Sequence, residues 1–279
     1  MNAIERAIWF IENHFAEPIT LETIADACAV SPYHLTRIFS VATGHSVMRY
    51  VRQRRLTEAA RALAGGAPDI LAVALDAGYN SHEAFTRSFR DHFGVTPEVL
   101  RAAGSLNTIQ LTEPRPMNIA DIPLAELQAP RFETHNTRLI AGICARYSAE
   151  SCAAIPSQWQ RFVPHLGTIA NQVGRATYGV VCNGDDEGNI EYISGVEVST
   201  FAGVPEEWCR LRIPEQRYAI FAHEGHVSSI RSTWLTILSK WIPESGYRVS
   251  GGPEFERYSE KFDPVAGMDG IEIWVPIRN

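Results

Sequence analysis

At 279 residues the chain exceeds the usual domain of about 100 to 150 residues and points to two globular units, while 45% hydrophobic and 20% charged residues exclude wholesale disorder, a collagen-like repeat and an extended coiled coil. The formal net charge of −7 is unevenly spread, with ten arginines against eleven acidic residues up to Ala103 and fifteen basic against twenty-one acidic residues beyond it, so the acidic total does not exclude nucleic acid as a partner of the first half. No run approaches 18 apolar residues, and Glu5, Arg6 and Glu12 punctuate the first apolar pattern, so neither a transmembrane helix nor a signal peptide is expected and the expected location is cytoplasmic.

The N-terminal part repeats itself at an offset of 50 residues: Ala27 falls on Ala77, Ser31 on Ser81, Thr36-Arg37 on Thr86-Arg87, Phe39 on Phe89, Gly44 on Gly94 and Ser46 on Thr96. Such self-similarity marks a duplicated structural unit. Each copy reads as helix, tight turn, helix. In the first, Thr20 caps a helix through about Ala27, Ser31-Pro32 starts the next, Leu35, Ile38 and Phe39 give it a buried face, and Gly44 stops it. In the second, Asp69 caps the run to Ala77, Gly78 turns the chain, Ser81 caps with Glu83 in the first turn, and Phe85, Phe89 and Phe93 form the apolar stripe before Gly94. A short helix from about Thr96 to Arg101 closes the unit.

Between the copies, Ser46 to Leu63 reads as one helix carrying Arg49, Arg52, Arg54, Arg55 and Arg61 against Glu58 alone. This strip fits either a solvated helix face or a set of phosphate contacts. Its span of roughly 27 Å suits a bridge between two recognition helices near the ~34 Å spacing of successive major-groove faces. Facing away from the apolar stripes are Tyr33, His34, Thr36 and Arg37 in the first copy, and His82, Glu83, Thr86, Arg87 and Arg90 in the second. Arginine suits the guanine O6/N7 edge and threonine a thymine methyl or a phosphate. A lone surface arginine is most simply a partner for a carboxylate; recurrence of Arg37 and Arg87 at equivalent helical sites favours DNA reading.

The run Gly78-Tyr79-Asn80-Ser81, Phe85, Thr86-Arg87-Ser88-Phe89, Phe93-Gly94-Val95-Thr96-Pro97 and Arg101, with Arg54-Arg55-Leu56, Ala59-Ala60 and Leu63 upstream, resembles the AraC/XylS-type transcriptional regulators over about residues 3–103. Leu100 stands where an aromatic is often found, a difference of packing. The resemblance implies two helix-turn-helix modules on a bridging helix that bind promoter DNA; RNA polymerase is a further expected partner.

From 104 to 127 helical periodicity is lost and Pro114, Pro116 and Pro123 interrupt the chain, as in a linker or irregular docking segment. We therefore expect an all-α double helix-turn-helix domain at 1–103, a linker at 104–127 and an α+β domain at 128–279. Strand-like runs cover Arg138–Arg146, Tyr178–Cys182, Ile190–Val198, Tyr218–Phe221, Phe255–Tyr258 and Ile271–Pro276. Helical patterns cover Ser157–Ile169, interrupted at Pro164, and Val227–Trp241. The order strand, helix, strand, strand thus occurs twice. Cys28, Cys144, Cys152, Cys182 and Cys209 are odd in number and lack a CxxC spacing, so reduced, packed thiols are expected.

Aromatic residues concentrate in this second part, and Tyr147, Trp159, Tyr192, Tyr218, Trp234 and Tyr258 are candidates for lining a pocket, each with core packing as the plainer reading. Glu197 and Glu256 lie inside strand runs, where a buried carboxylate is costly unless paired or placed to meet a cation, and where period-2 alternation can equally put it in solvent. The segments Glu191 to Glu197, Ile213-Pro214, Tyr218 to Phe221 with His223 and Gly225, Thr233-Trp234, Trp241-Ile242-Pro243, Gly246-Tyr247, Pro253, Phe255 to Tyr258 and Glu272 to Pro276 resemble the GyrI-like effector-binding family. The resemblance implies two βαββ units around an aromatic-lined pocket for a small molecule, in several members a lipophilic cation against a buried glutamate, here Glu256.

Two further readings of the second domain stay open: a hydrolase acting on its ligand through Glu197 and Glu256, and a ligand-free protein-docking domain. No nucleophile, metal set or phosphate loop accompanies the glutamates. The run His223-Glu224-Gly225-His226 has histidines three apart rather than four, which disfavours zinc, and the 183–189 run has Ser194 at the twelfth position where a calcium loop needs glutamate. No cofactor or metal is expected.

Overall fold

Capping and apolar spacing set the helical elements. The computed structural model describes residues 3–115, 123–148, 151–185 and 188–278. Helix α1 (Ala3–His14) buries Ile4, Ala7, Ile8 and Ile11 at i, i+3, i+4 spacing. Helix α2 (Leu21–Cys28) opens on a reciprocal cap in which Thr20 and Thr23 each accept the other's backbone N–H. Then come α3 (Pro32–Thr43), α4 (Val47–Ala64), α5 (Ile70–Asp76), α6 (His82–Phe93) and α7 (Pro97–Ala103). Asp69 caps α5, Ser81 caps α6 and Thr96 caps α7. Gly94 ends α6 at φ 75°, a conformation that glycine adopts without the clash a Cβ brings. Phe85, Phe89 and Phe93 stack along one stripe with centroids 5.4 and 4.7 Å apart, inside a core shared with Leu56, Ala60, Leu63, Ala74 and Leu100.

The arginines of α4 are mostly committed to this scaffold. Arg54 is buried, pairs with Glu12 at 3.0 Å and donates to the Thr112 carbonyl at 2.9 Å. Arg55 donates to the carbonyls of Phe15 and Glu17, both at 2.6 Å. Arg61 joins Glu58 and Glu113. For these three, the phosphate reading of the strip is corrected: their polar partners lie within the protein. The stretch before residue 116 is a docking arm rather than a free linker. Leu106, Ile109 and Leu111 pack against the helical core, Thr112 N–H donates to Thr57 Oγ1 and Arg115 N–H donates to Tyr50 Oη; the part of the expected linker at 116–122 lies outside the described residues.

Nine strands occur among the described residues: β1 (Arg131–His135), β2 (Arg138–Tyr147), β3 (Gln172–Cys182), β4 (Ile190–Val198), β5 (Cys209–Ile213), β6 (Gln216–His223), β7 (Arg248–Val249), β8 (Glu254–Tyr258) and β9 (Ile271–Arg278). Their antiparallel order is β1-β6-β9-β8-β3-β4-β2-β5, with β7 on β9. The expected βαββ units are β2-α8-β3-β4, with α8 at Ile155–Phe162, and β6-α9-β8-β9, with α9 at Ile230–Thr236. Each is preceded by a short strand that pairs with the other unit, β1 on β6 and β5 on β2.

Both helices depart from the lengths read off the sequence. The first gives way after Phe162 to a 3-10 turn at Val163–His165, because Pro164 lacks the N–H needed to continue an α-helix. The second starts as a 3-10 turn at Val227–Ser229, passes through a π turn at Ile237–Trp241 and ends as α10 (Ile242–Ser245). The expectation of uniformly reduced thiols is also corrected. Cys144 and Cys209 form a disulfide with Cα atoms 5.9 Å apart; the register pairs Cys209 with Gly142, which places Cys144 diagonally opposite on the same sheet face, within disulfide reach.

By proximity the chain divides into two compact units. Among the described residues, one holds 3–32 and 47–115, the other 33–46 and those from 123 onward. Helix α3 from Tyr33 onward therefore belongs with the sheet. No helix among the described residues is long and apolar enough to cross a membrane. Because Arg54 is 3% exposed and anchors Glu12, α4 and the docking arm at once, Arg54→Ala should cost about 3 kcal/mol, the scale for breaking a buried pair from one side; urea unfolding of the variant against the parent measures it.

Candidate functional site

Strand β8 places two acids on one face, because side chains two apart on a strand point the same way. Glu254 is fully buried and Glu256 nearly so. Glu256 accepts three hydrogen bonds, all from aromatic side chains: Trp234 Nε1 at 2.9 Å to Oε1, and Tyr258 Oη at 2.9 Å and Tyr192 Oη at 3.2 Å to Oε2. It forms no ion pair among the described residues. Trp159 Nε1 donates in turn to Tyr192 Oη at 3.1 Å, and the Trp159 ring meets Tyr258 edge-on at 5.4 Å.

Helix α8 is held over this site by Gln158, which is completely buried. Its Nε2 donates to the carbonyls of Ile143 and Tyr192 and to Ser194 Oγ, and its Oε1 accepts from Tyr147 Oη at 2.8 Å. From α9, Trp234 closes the other side. Gly179 on β3 lies opposite Glu256 in register, and a Cβ there would come within 3.0 Å of Glu256 Oε2 and clash with the Tyr192 hydroxyl. Only glycine lets that phenol reach the carboxylate. Burial, reinforced by the Glu256 carboxylate, pushes the phenols of Tyr192 and Tyr258 well above the ordinary tyrosine range.

Six of the eight expected pocket residues thus come together: Glu256, Tyr147, Trp159, Tyr192, Trp234 and Tyr258. The other two do not, and their assignment is corrected. Glu197 pairs in register with Ile140 on the opposite face, where it accepts from Tyr178 Oη at 3.0 Å and lies 3.5 Å from Arg138. Tyr218 packs on that same face against Phe255 and Trp274. The buried Arg138 guanidinium there stacks over Tyr178, Phe255 and Trp274 at 5.3, 5.4 and 4.9 Å, so Glu197 answers an internal cation. Parity along the strand decided both cases, and the sequence offered no anchor from which to count it. Glu254 and Gln158 went unnoticed in the sequence; the alternation Glu254, Glu256 was the available signal for the first.

The disfavoured metal motifs resolve into local structure. His223 bonds to Thr233 Oγ1 and the His226 carbonyl, and His226 caps the following turn. In the 183–189 hairpin, Asp185 accepts from the backbone and side-chain N–H groups of Asn189; residues 186 and 187 lie outside the described ones. The Cys144 and Cys209 sulfurs lie within 4.8 Å of a Glu191 oxygen, but joined as a disulfide they are not thiolate donors.

On α6 the predicted DNA-reading residues present a usable face. Glu83, Arg87 and Arg90 are exposed, and His82 and Thr86 partly so. His82 pairs with Glu98 at 3.1 Å, and the Glu83 carboxyl is held below the usual carboxylate range by its own backbone N–H together with the Ser81 hydroxyl. Arg87 and Arg90 form no ion pair among the described residues. On α3 the situation is reversed. His34, Thr36 and Arg37 are buried and Tyr33 is partly so. Burial, then the nearby Glu254 charge, raises the Tyr33 phenol, and burial lowers the His34 imidazole.

Residues 128–278 match the family described as a GyrI-like small molecule binding domain. The chain belongs to the GyrI-like family. Residues 24–103 of this GyrI-like protein match a helix-turn-helix domain. It is similar to the transcriptional regulator Rob of Salmonella typhimurium, 26% identical over 287 residues covering 97% of this chain and 96% of Rob. It is also similar to the multiple antibiotic resistance protein MarA of that organism, 36% identical over 92 residues covering 33% of this chain and 72% of MarA. Among solved structures, that of SAV2435 bound to tetraphenylphosphonium covers 55% of this chain and 95% of its own, with a TM-score of 0.46 and 18% identity. The GyrI-like protein is therefore an AraC-type, DNA-binding transcription regulator with a small-molecule-sensing domain.

The phenols that hold Glu256 also set a pH limit. A folded-state pKa raised above the unfolded value gives stability that is full below the unfolded pKa of about 10 and is lost as pH rises past it. The melting temperature of the regulator should accordingly fall above about pH 10, and fall less steeply in a Tyr192→Phe/Tyr258→Phe double variant; equal slopes in thermal scans across that range would count against the assignment.

Proposed function

We propose that the C-terminal domain senses a lipophilic cation, with Glu256 as its countercharge and Trp159, Trp234, Tyr147, Tyr192 and Tyr258 as its aromatic walls. One observation supports this reading: a buried carboxylate whose hydrogen-bond donors are all aromatic side chains and which has no ionic partner among the described residues. Burying a carboxylate costs several kcal/mol unless charge of the opposite sign is supplied, and aromatic faces attract a delocalised cation where water is excluded. The hydrolase reading is weaker. Three donors already occupy the Glu256 oxygens, Glu197 faces away, and the similar protein Rob is a transcriptional regulator.

The proposed division of labour is a promoter-reading domain at 1–103, a connecting segment at 104–127 and the sensing domain at 128–279, acting in the cytoplasm and engaging RNA polymerase at the promoter. Within the first, Arg87 and Arg90 supply base-edge and phosphate contacts, with Thr86, Glu83 and His82 beside them; Tyr33, His34, Thr36 and Arg37 are the corresponding set on α3.

Titration of the full chain with tetraphenylphosphonium, followed by tryptophan fluorescence, tests the sensing site. Glu256→Gln should weaken binding about tenfold, equivalent to ~1.4 kcal/mol, and leave the weak binding of the neutral triphenylphosphine oxide unchanged; loss of affinity for neither compound rejects the cation reading. For DNA, Arg87→Ala should cost roughly 1 to 3 kcal/mol on an operator selected from random sequence and much less on unselected DNA. Equal losses on both, measured by fluorescence anisotropy, reassign Arg87 to the phosphate backbone.

A further inference from the structure

Helix α3 does not offer its polar face to solvent. Arg37, 7% exposed, reaches the same face of β8 that carries Glu256. Its Nε and Nη2 both meet Glu254 Oε2 at 2.9 Å, and its Cζ lies 5.6 Å from the centroid of Trp234. Trp234 is the indole whose N–H holds Glu256. A planar, delocalised cation thus sits on an aromatic face against a buried carboxylate, one residue pair along the strand from the proposed countercharge. These are the chemical features that a lipophilic cation would use.

A further hydrogen bond holds the helix, and the residues just after it also lie close to this domain. Arg231 Nε, from α9, donates to the Val41 carbonyl at 2.7 Å. Gly188 comes so near Ser46 that a Cβ on it would lie 2.5 Å from the serine Cβ. The buried His34 and Thr36 are on the helix that the sequence marks for the major groove. While α3 is held in this way, those side chains cannot meet base edges.

Building on the cation reading of Glu256, we propose that Glu254 and Trp234 form a second cation-accepting half of the ligand site and that Arg37 is its internal occupant. An external lipophilic cation competes with Arg37 and binds as α3 leaves the sheet. Ligand and docked helix are then mutually exclusive, so the ligand favours the state in which α3 is available to DNA. By linkage, DNA that captures α3 raises the affinity for the ligand by the same factor.

Competition makes a prediction that ordinary positioning does not: deleting Arg37 should strengthen ligand binding. If the docked state is about 90% populated, the apparent affinity for a competitor is reduced about tenfold. In the full chain, Arg37→Ala should therefore bind tetraphenylphosphonium about tenfold more tightly than the parent by tryptophan fluorescence. Equal or weaker binding, with the parent binding normally, overturns the occupant and leaves the Glu256 reading standing. Absence of binding in both chains overturns the two together.

A second measurement does not depend on the stability of the Arg37 variant. Diethyl pyrocarbonate acylates exposed neutral imidazole, and modification at His34 can be located by peptide mass spectrometry. His34 should react several-fold faster when tetraphenylphosphonium is added to the parent, and also in Glu254→Gln without ligand, while His223 keeps its parent rate as a control for folding. An unchanged rate at His34 in both cases overturns the proposal.

Discussion

Two carboxylates on one short strand determine how the sensing domain is organised. Charge buried beside apolar side chains has to be answered by hydrogen bonds, by an opposite charge or by both. Glu256 is answered by two phenols and an indole, and Glu254 by a guanidinium. Meeting these demands draws residues from four segments to one place. Tyr192 must come from β4, Tyr258 from β8 itself, Trp234 from α9 and Arg37 from α3. The absence of a side chain at Gly179 then becomes a requirement of the same carboxylate, since the Tyr192 hydroxyl occupies the space where a Cβ would lie.

Arginine does three different jobs in this protein, and its surroundings select among them. Arg54 and Arg55 are turned inward to carbonyls and a carboxylate and tie the docking arm and first helix to α4. Arg138 lies in a cage of three rings on the far face of the sheet. Arg87 and Arg90 stay on an exposed helix face. Total charge could not separate these roles, because a paired arginine and an exposed one contribute equally to it.

Local chemistry was legible in the sequence where it is written in short range. The 50-residue repeat, the caps at Thr20, Asp69 and Ser81, the phenylalanine stripe and the six strands of the βαββ units all follow from neighbours a few positions apart. Strands β1, β5 and β7 were not legible, since each gains its identity from a partner distant in the sequence. The same limit hid the disulfide, which depends on the register of β2 with β5. Glu256 was identifiable through its family pattern, whereas Glu197 looked equivalent until the register of β2 and β4 fixed which face it takes. Nothing local marks Arg37 as facing a sheet more than two hundred residues away.

The exchange of leading strands has a consequence for how the domain comes into being. As the chain leaves the ribosome, β1 is complete long before its partner β6 exists, and β2 keeps an open edge until β5 arrives. The two βαββ halves resemble each other, yet neither carries all of its own hydrogen-bonded neighbours. Pairing across such sequence distances is slow, and unpaired edges invite association with other chains. The sheet therefore closes only after β9 has been made, and until then the nascent half-domain keeps unpaired strand edges.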